Sequence, residues 1–198
     1  GGRAGTSAMT TLYVLQTGQT AGETESRVES TTGSPLTEAG TRAVHDAAKE
    51  LVGHDIRAVY ACKGGEAERQ TAELAAKELK ARVRDIEALH ELDYGLWQGL
   101  TLEEIKRRQP RAYHQWTKAP ASFRPPEGET LEEASQRLRS ALKTISRKHR
   151  AGPVLVVLRP TLVALLKCLT EDKDVNALWD ELDRSFLWGC YEVDGKSL

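Results

Sequence analysis

Two short apolar runs of this chain each end in polar residues whose side chains could bind a ligand. Residues 12–15 are followed by Gln16 and Thr17, and residues 154–158 are followed by Arg159. Short apolar runs of this kind are typical of strands buried in a parallel sheet. Ligands of open α/β sheets sit at the carboxyl ends of such strands. A guanidinium at this edge, beside a hydroxyl and a glycine amide, could hold an anion such as phosphate, sulfate or a carboxylate.

The elements that would position these residues are strands alternating with helices. The strands are predicted at residues 12–15, 56–62, 83–86, 154–158 and 187–193, and the most hydrophobic of them, 154–158, is expected to be central. Helical spacing of apolar residues predicts helices within 35–53, 66–80, 131–145 and 161–169. Capping boxes at Thr101/Glu104 and Thr130/Glu133 mark two helix starts. We therefore predict an α/β fold, a three-layer sandwich with a mainly parallel sheet and helices on both faces.

Two long segments interrupt this alternation. Residues 21–34 are rich in Thr, Ser, Glu and Gly, which predicts a loop over the strand edge. Residues 110–128 contain Pro120, Pro125 and Pro126, which predicts an irregular excursion that could cover the site. Long loops in compact domains are often binding loops.

Length and composition restrict the class of protein. The chain has 198 residues, and its 28 basic and 29 acidic side chains give a net charge of -1, so neither nucleic acid nor an anionic membrane is an expected partner. The three cysteines are odd in number and form no Cys-x-x-Cys pair, which predicts a reducing, cytoplasmic setting and no metal site. Met9 is the only methionine. We therefore expect residues 1–8 to be a non-native remnant and 9–198 to form a single domain.

Several sequence blocks, in order, resemble the histidine phosphatase superfamily, whose members are phosphoglycerate mutase-like. Its signature, a strand running into Arg-His-Gly-Glu-Thr, corresponds here to residues 16–20, Gln-Thr-Gly-Gln-Thr. Four further blocks match the family's patterns between the first strand and the strand at 154–158. These are residues 34–40, 69–73, 91–100 and 127–130, and the block at 154–160 matches as well. Five such blocks in the family's order imply the family's fold over nearly the whole chain.

The resemblance also implies a role for each matching position. In the family, the first-strand histidine accepts a phosphoryl group, two arginines and a second histidine enclose the phosphate, and an acid protonates the leaving oxygen. Gln16 and Ala67 stand at the two arginine positions, Thr17 at the nucleophile and Arg159 at the second histidine. Gly18 keeps its place, and Glu91 keeps the acid. The family needs no metal or cofactor, so none is expected.

The substitutions predict that the family's chemistry is lost. Threonine is a poor nucleophile without a base, and Gln16 and Ala67 cannot offer a phosphate the bidentate charged contact of arginine. The first interpretation is therefore a pseudophosphatase that binds a partner protein or a small anionic ligand, including a sensor that holds a phosphorylated metabolite at Arg159. The alternative is a phosphomonoester phosphatase or phosphotransferase with a rebuilt site using Glu91 and Arg159, with Cys62 or His114 as a further participant. Arg159 itself either binds an anion or pairs with Glu91.

Overall fold

A five-stranded sheet forms the middle layer of the computed structural model, which describes residues 9–30, 33–150, 152–196 and 198. The expected remnant at residues 1–8 lies outside the described residues. The strands are β1 (Thr10–Gln16), β2 (Ala58–Ala61), β3 (Arg82–Asp85), β4 (Val154–Leu158) and β5 (Trp188–Val193). Their order is β3-β2-β4-β1-β5, with β5 antiparallel to β1 and the other pairs parallel. The five predicted strands, the central position of β4 and the mainly parallel three-layer fold are confirmed.

Helices cover both faces of the sheet. In chain order they are α1 (Ala21–Thr24), α2 (Glu38–Leu51), α3 (Glu66–Leu79), α4 (Leu102–Arg108), α5 (Pro110–Lys118), α6 (Leu131–Lys148), α7 (Pro160–Thr170) and α8 (Leu178–Glu181). Within the described ranges, no helix is both long enough and apolar enough to cross a membrane.

Alternation along the strands divides the core into two parts. Val154, Val156 and Leu158 of β4 pack in one hydrophobic cluster with α6 and α7, whereas Leu155 and Val157 pack in another with α2 and α3. Successive side chains of a strand point to opposite faces, so a strand in the centre of a sheet must be apolar at every position. Each fully buried Val or Leu contributes about 1.5–3 kcal/mol of transfer free energy. This is why the continuous apolar run marks the middle of the sheet.

Both long segments contain helices that the sequence patterns did not predict. Residues 21–34 begin with the single turn α1, where the Thr20 hydroxyl accepts a hydrogen bond from the Glu23 amide at 3.1 Å. Residues 110–128 begin with α5, which has Pro110 in its first turn, a position where the fixed φ of proline suits a helix. The remaining prolines of that segment follow the end of α5. The segment is therefore irregular only after residue 118.

The two predicted capping boxes differ in their outcome. At Thr101 both reciprocal bonds are present, because the Thr101 hydroxyl accepts from the Glu104 amide and the Glu104 carboxylate accepts from the Thr101 amide. At Thr130 only the hydroxyl bond to the Glu133 amide forms. The Glu133 carboxylate pairs with Arg124 instead.

Candidate functional site

The backbone at the end of β1 is held against β4, α2 and α3. The Thr17 amide donates a hydrogen bond to the Leu158 carbonyl at 3.0 Å, and the Gly18 amide donates to the Thr71 hydroxyl at 3.2 Å. A Cβ atom on Gly18 would lie 2.7 Å from the carbonyl oxygen of Gly40 in α2. Glycine is therefore required at this position because two backbones approach each other closely.

Gln16 points away from Arg159 and toward the chain before β5. Its Nε2 donates to the carbonyl oxygens of Asp183 at 3.0 Å and Phe186 at 3.2 Å. The Thr17 hydroxyl is buried and has no hydrogen-bond partner among the described residues. In place of a guanidinium and an imidazole, the first strand thus presents an amide that anchors a neighbouring segment and an unpaired hydroxyl.

Arg159, at the end of β4, is only 2% exposed and carries the central charge of the site. Its Nη2 donates to a carboxylate oxygen of Glu23 at 2.8 Å and lies 3.4 Å from one of Glu29. Of the two roles that the sequence left open for Arg159, the ion pair with Glu91 is not formed among the described residues, because the guanidinium pairs with Glu23 in α1 and with Glu29 in the loop after it. A second arginine, Arg184, approaches the other oxygen of Glu23 at 3.3 Å. These four side chains form an ion-pair chain that neutralises itself.

Glu91 binds backbone amides at the start of α7. One carboxylate oxygen accepts from the Leu92 amide at 2.8 Å and the other from the Thr161 amide at 3.1 Å. Arg159 is the N-cap residue of α7 and makes no side-chain capping bond. The Glu91 carboxylate takes over this capping role, which is favourable because the amino-terminal end of a helix attracts negative charge. The Tyr94 hydroxyl forms a hydrogen bond of 2.8 Å with the Thr161 hydroxyl next to this cap.

Ala67 is fully buried in the first turn of α3, and its neighbour Glu68 brings a further negative charge. Glu68 is 1% exposed, its carboxylate lies against the backbone of Gly65, and its Oε2 has no partner among the described residues. The resemblance predicted that Ala67 stands where the family has an arginine. It did not predict that a glutamate would be buried beside it.

Burial governs the pKa values of these carboxyl groups. It raises the pKa of Glu68 to about 7, and it also raises the pKa values of Glu91 and Glu23, against the opposing effect of Arg159. Burial acts in the same direction on Glu29, but hydrogen bonds from Thr20 and Ser34, together with Arg159, outweigh it and lower the pKa. The pKa of Arg159 is raised because the nearby glutamates outweigh the effect of its own burial. The site is therefore rich in carboxyl groups that are difficult to ionise.

The structure divides the predicted site residues between two cavities. Glu91 and Arg159 line a cavity of about 340 Å³, whereas Gln16, Thr17 and Gly18 line another of about 230 Å³. Ala67 lines neither of these two cavities. Arg184, which the sequence did not indicate, lines both.

Aromatic side chains make up much of the larger cavity's lining, and the sequence patterns did not predict this. They come from three separate segments: Tyr94, Trp97, Tyr113, Trp116 and Trp179. Tyr113 and Trp116 are three residues apart on α5, which places them on the same side of that helix. Their three-residue spacing, inside the segment predicted to be irregular, was the sequence signal for a helix with an aromatic face.

A substitute nucleophile is not present where the alternative interpretation needs one. Among the described residues that line the two cavities there is no histidine and no cysteine. Cys62 is buried, and burial raises the pKa of its thiol, which disfavours the reactive thiolate. His114 is exposed on α5, next to two residues that face the cavity. The described part of the chain also has no group of three or more His, Cys, Asp or Glu side chains placed to hold a metal ion.

Fold and site together define a class of protein. A mainly parallel sheet between two layers of helices, with the site at the carboxyl ends of β1 and β4, is the architecture of the phosphoglycerate mutase-like proteins. A model of the histidine phosphatase superfamily (branch 1) matches residues 12–183. The chain therefore belongs to the histidine phosphatase superfamily.

Individual relatives agree with this assignment. Over 171 residues the chain is 32% identical to a bifunctional protein of Mycobacterium tuberculosis, a match that covers 86% of this chain and 46% of that protein. The chain thus spans about half the length of the first curated relatives it matches. It is 24% identical to phosphoserine phosphatase 1 of Hydrogenobacter thermophilus, over 73% of this chain and 68% of that one. Among solved structures, Bacillus stearothermophilus YhfR superposes with a TM-score of 0.82 at 29% identity, covering 86% and 84% of the two chains.

Proposed function

We propose that this chain is a non-catalytic member of the histidine phosphatase superfamily, a pseudophosphatase that works by binding a ligand. The observation that carries the proposal is Thr17, whose buried hydroxyl follows β1 at the family's nucleophile position and has no hydrogen-bond partner among the described residues. A hydroxyl attacks phosphorus only when a base takes its proton. A phosphothreonine, once formed, would be a stable ester, so turnover would stop there.

The charges around Arg159 support the same conclusion. Phosphoryl transfer needs positive charge at the equatorial oxygens of the phosphate. Arg159 is paired with Glu23 and Glu29, and Arg184 is paired with Glu23. A phosphate dianion would have to compete with these carboxylates. The small anion expected from the sequence is thus a weaker candidate ligand than a molecule held in the larger cavity, and a protein partner remains a further proposal.

One observation favours a second candidate function, a phosphomonoester phosphatase with a rebuilt site. Glu91, at the family's acid position, and Arg159 line the same cavity. Several similar proteins are named as phosphatases or mutases, among them phosphoserine phosphatase 1 of Hydrogenobacter thermophilus. This candidate finds neither a histidine nor a cysteine among the described lining residues to serve as its nucleophile.

Hydrolysis of an aryl phosphate and of a panel of phosphomonoesters, from mildly acidic to neutral pH, tests the two candidates. We expect no hydrolysis above the buffer rate. The matched control is Glu91→Gln, which keeps the shape of the side chain and removes its acid. Hydrolysis that the control abolishes would refute the pseudophosphatase proposal and establish the rebuilt site.

A further inference from the structure

The larger cavity has the size and lining of a small-molecule site. Its volume of about 340 Å³ falls within the usual range for such sites, roughly 300–1,000 Å³. Besides the five aromatic residues, apolar side chains of α4 and of the chain after α8 contribute to the lining, among them Leu102, Ile105 and Leu182. Such a lining suits the apolar body of a ligand.

The charges of this cavity balance in pairs, with one exception. Arg27, one of the lining residues, pairs with Glu25. The other two lining arginines belong to the ion-pair chain of Arg184, Glu23, Arg159 and Glu29. Glu91 also lines the cavity, is 3% exposed, and forms no ion pair among the described residues. Arg159 is also the opposing charge that acts on Glu91, so the three lining carboxyl groups of Glu23, Glu29 and Glu91 share the two guanidinium groups of Arg159 and Arg184 and exceed them by one.

Arg159 adds a second requirement for a ligand of this cavity. Its Nε and Nη1 are buried and find no hydrogen-bond acceptor among the described residues. Buried donors are normally satisfied, and leaving one unpaired is costly. These donors lie on a side chain that lines the cavity, so they call for a ligand oxygen rather than for a second cation.

We propose, on the basis of the binding function proposed above, that this cavity binds a small primary organic ammonium ion with an aromatic or apolar body and one oxygen acceptor. The ammonium group binds Glu91, the body packs among the aromatic side chains, and the oxygen accepts from Arg159. Aromatic faces attract cations as well as apolar groups, which suits such a ligand. A bare metal ion does not fit, because the described residues supply no cluster of metal ligands.

Three probes of nearly the same shape test the charge requirement. Phenylethanolamine carries the ammonium group and the hydroxyl, phenylethanediol replaces the ammonium with a neutral hydroxyl, and mandelate places a carboxylate there. Intrinsic fluorescence is a direct readout, since Trp97, Trp116 and Trp179 line the cavity and only Trp188 of the four tryptophans does not. Calorimetric titration measures the same affinities independently.

We expect phenylethanolamine to bind at least about tenfold more tightly than phenylethanediol, because its ammonium group forms an ion pair with the Glu91 carboxylate, whereas the diol offers a neutral hydroxyl donor. Mandelate should bind most weakly. Phenethylamine, which lacks the hydroxyl, should bind severalfold more weakly than phenylethanolamine. Equal affinity for the amine and the diol, tighter binding of mandelate, or no binding of any probe would overturn the proposal.

The Glu91→Gln variant should reduce the preference for the amine over the diol to about one, because it removes the charge that selects the ammonium. Unchanged binding of the neutral diol shows that the variant is folded. Glu25→Gln, which removes the ion-pair partner of the lining residue Arg27, is the matched control and should keep the preference. Hydrolysis of phenyl phosphate would refute the proposed function, whereas no hydrolysis together with equal binding of amine and diol would refute the ligand class alone.

Discussion

Replacing Glu68 with glutamine should stabilise this protein at neutral and alkaline pH and change its stability little in acid. Glu68 is buried in the first turn of α3, and its pKa rises from 4.5 to about 7. Burial is the largest cause, and the negative charges of Glu91 and Glu29 add to it, while Arg159 opposes it. The folded protein therefore binds this proton more tightly than the unfolded chain does.

The sign and the size of this change in stability follow from proton linkage. A carboxyl group whose pKa is higher in the folded state than in the unfolded state lowers the free energy of unfolding as the pH rises above the unfolded-state pKa. The loss is complete once the pH exceeds the folded-state pKa. The window here runs from 4.5 to about 7. Each pKa unit corresponds to 1.36 kcal/mol, so the full cost is roughly 3 kcal/mol. Glutamine keeps the shape and removes the titration, so the variant should gain up to this amount at about pH 8 and little at about pH 4.

Urea unfolding followed by tryptophan fluorescence at the two pH values measures this difference. Comparing the variant with the wild type at each pH cancels the other buried carboxyl groups, which titrate in both proteins. Glu73→Gln, at an exposed position of the same helix, is the control for removing a charge from α3. A Glu68→Gln protein that is less stable than the wild type at about pH 8, or whose difference is the same at both pH values, would refute this reasoning.

Three further substitutions test the construction of the site. Glu91→Ala should lower the free energy of unfolding by about 1–2 kcal/mol, because it leaves the Thr161 amide of α7 uncapped. Unchanged hydrogen exchange in the first turn of α7 would contradict this role. Gly18→Ala should cost about 1–3 kcal/mol in urea unfolding because its Cβ meets a carbonyl oxygen of α2. Gly64→Ala, whose Cβ would lie at an ordinary contact distance of 3.9 Å from the Cys62 sulfur, should cost less. Arg159→Leu should cost about 3–5 kcal/mol at neutral pH by removing the ion pair of the buried Glu29 carboxylate and one of the two ion pairs of Glu23. That loss should shrink in acid, where protonated carboxyl groups need no partner, and a loss independent of pH would exclude the ion-pair explanation.

The fold was predictable because its strongest signals are local. The continuous apolar runs of β1 and β4 specify buried strands wherever the rest of the chain goes, and Thr101 with Glu104 specifies a helix start within four residues. The helix α5 was missed because the prolines after residue 118 dominated the interpretation of a segment that starts as a helix. Its helical signal, two aromatic residues three apart, was present but short.

The site was only partly predictable because its key contacts join residues that are far apart in the chain. The resemblance placed Arg159 and Glu91 correctly at one cavity. It could not show that Arg159 binds Glu23, which precedes it by 136 residues. Glu91, which the sequence offered as one of two alternatives for Arg159, is nearer in the chain and binds the amide of Thr161 instead. Ion-pair partners depend on the path of loops, and loop paths are the least regular part of a chain.

The ion-pair chain around Arg159 also bears on whether phosphate binding could be restored. A buried arginine must be neutralised, and in a phosphate site the ligand supplies the negative charge. Here Glu23 and Glu29 supply it from within the protein. Placing a histidine at Thr17 would therefore provide a nucleophile without a bound phosphate. We expect phosphate binding to require removal of these carboxylates as well, so that a Thr17→His variant alone stays inactive toward aryl phosphates.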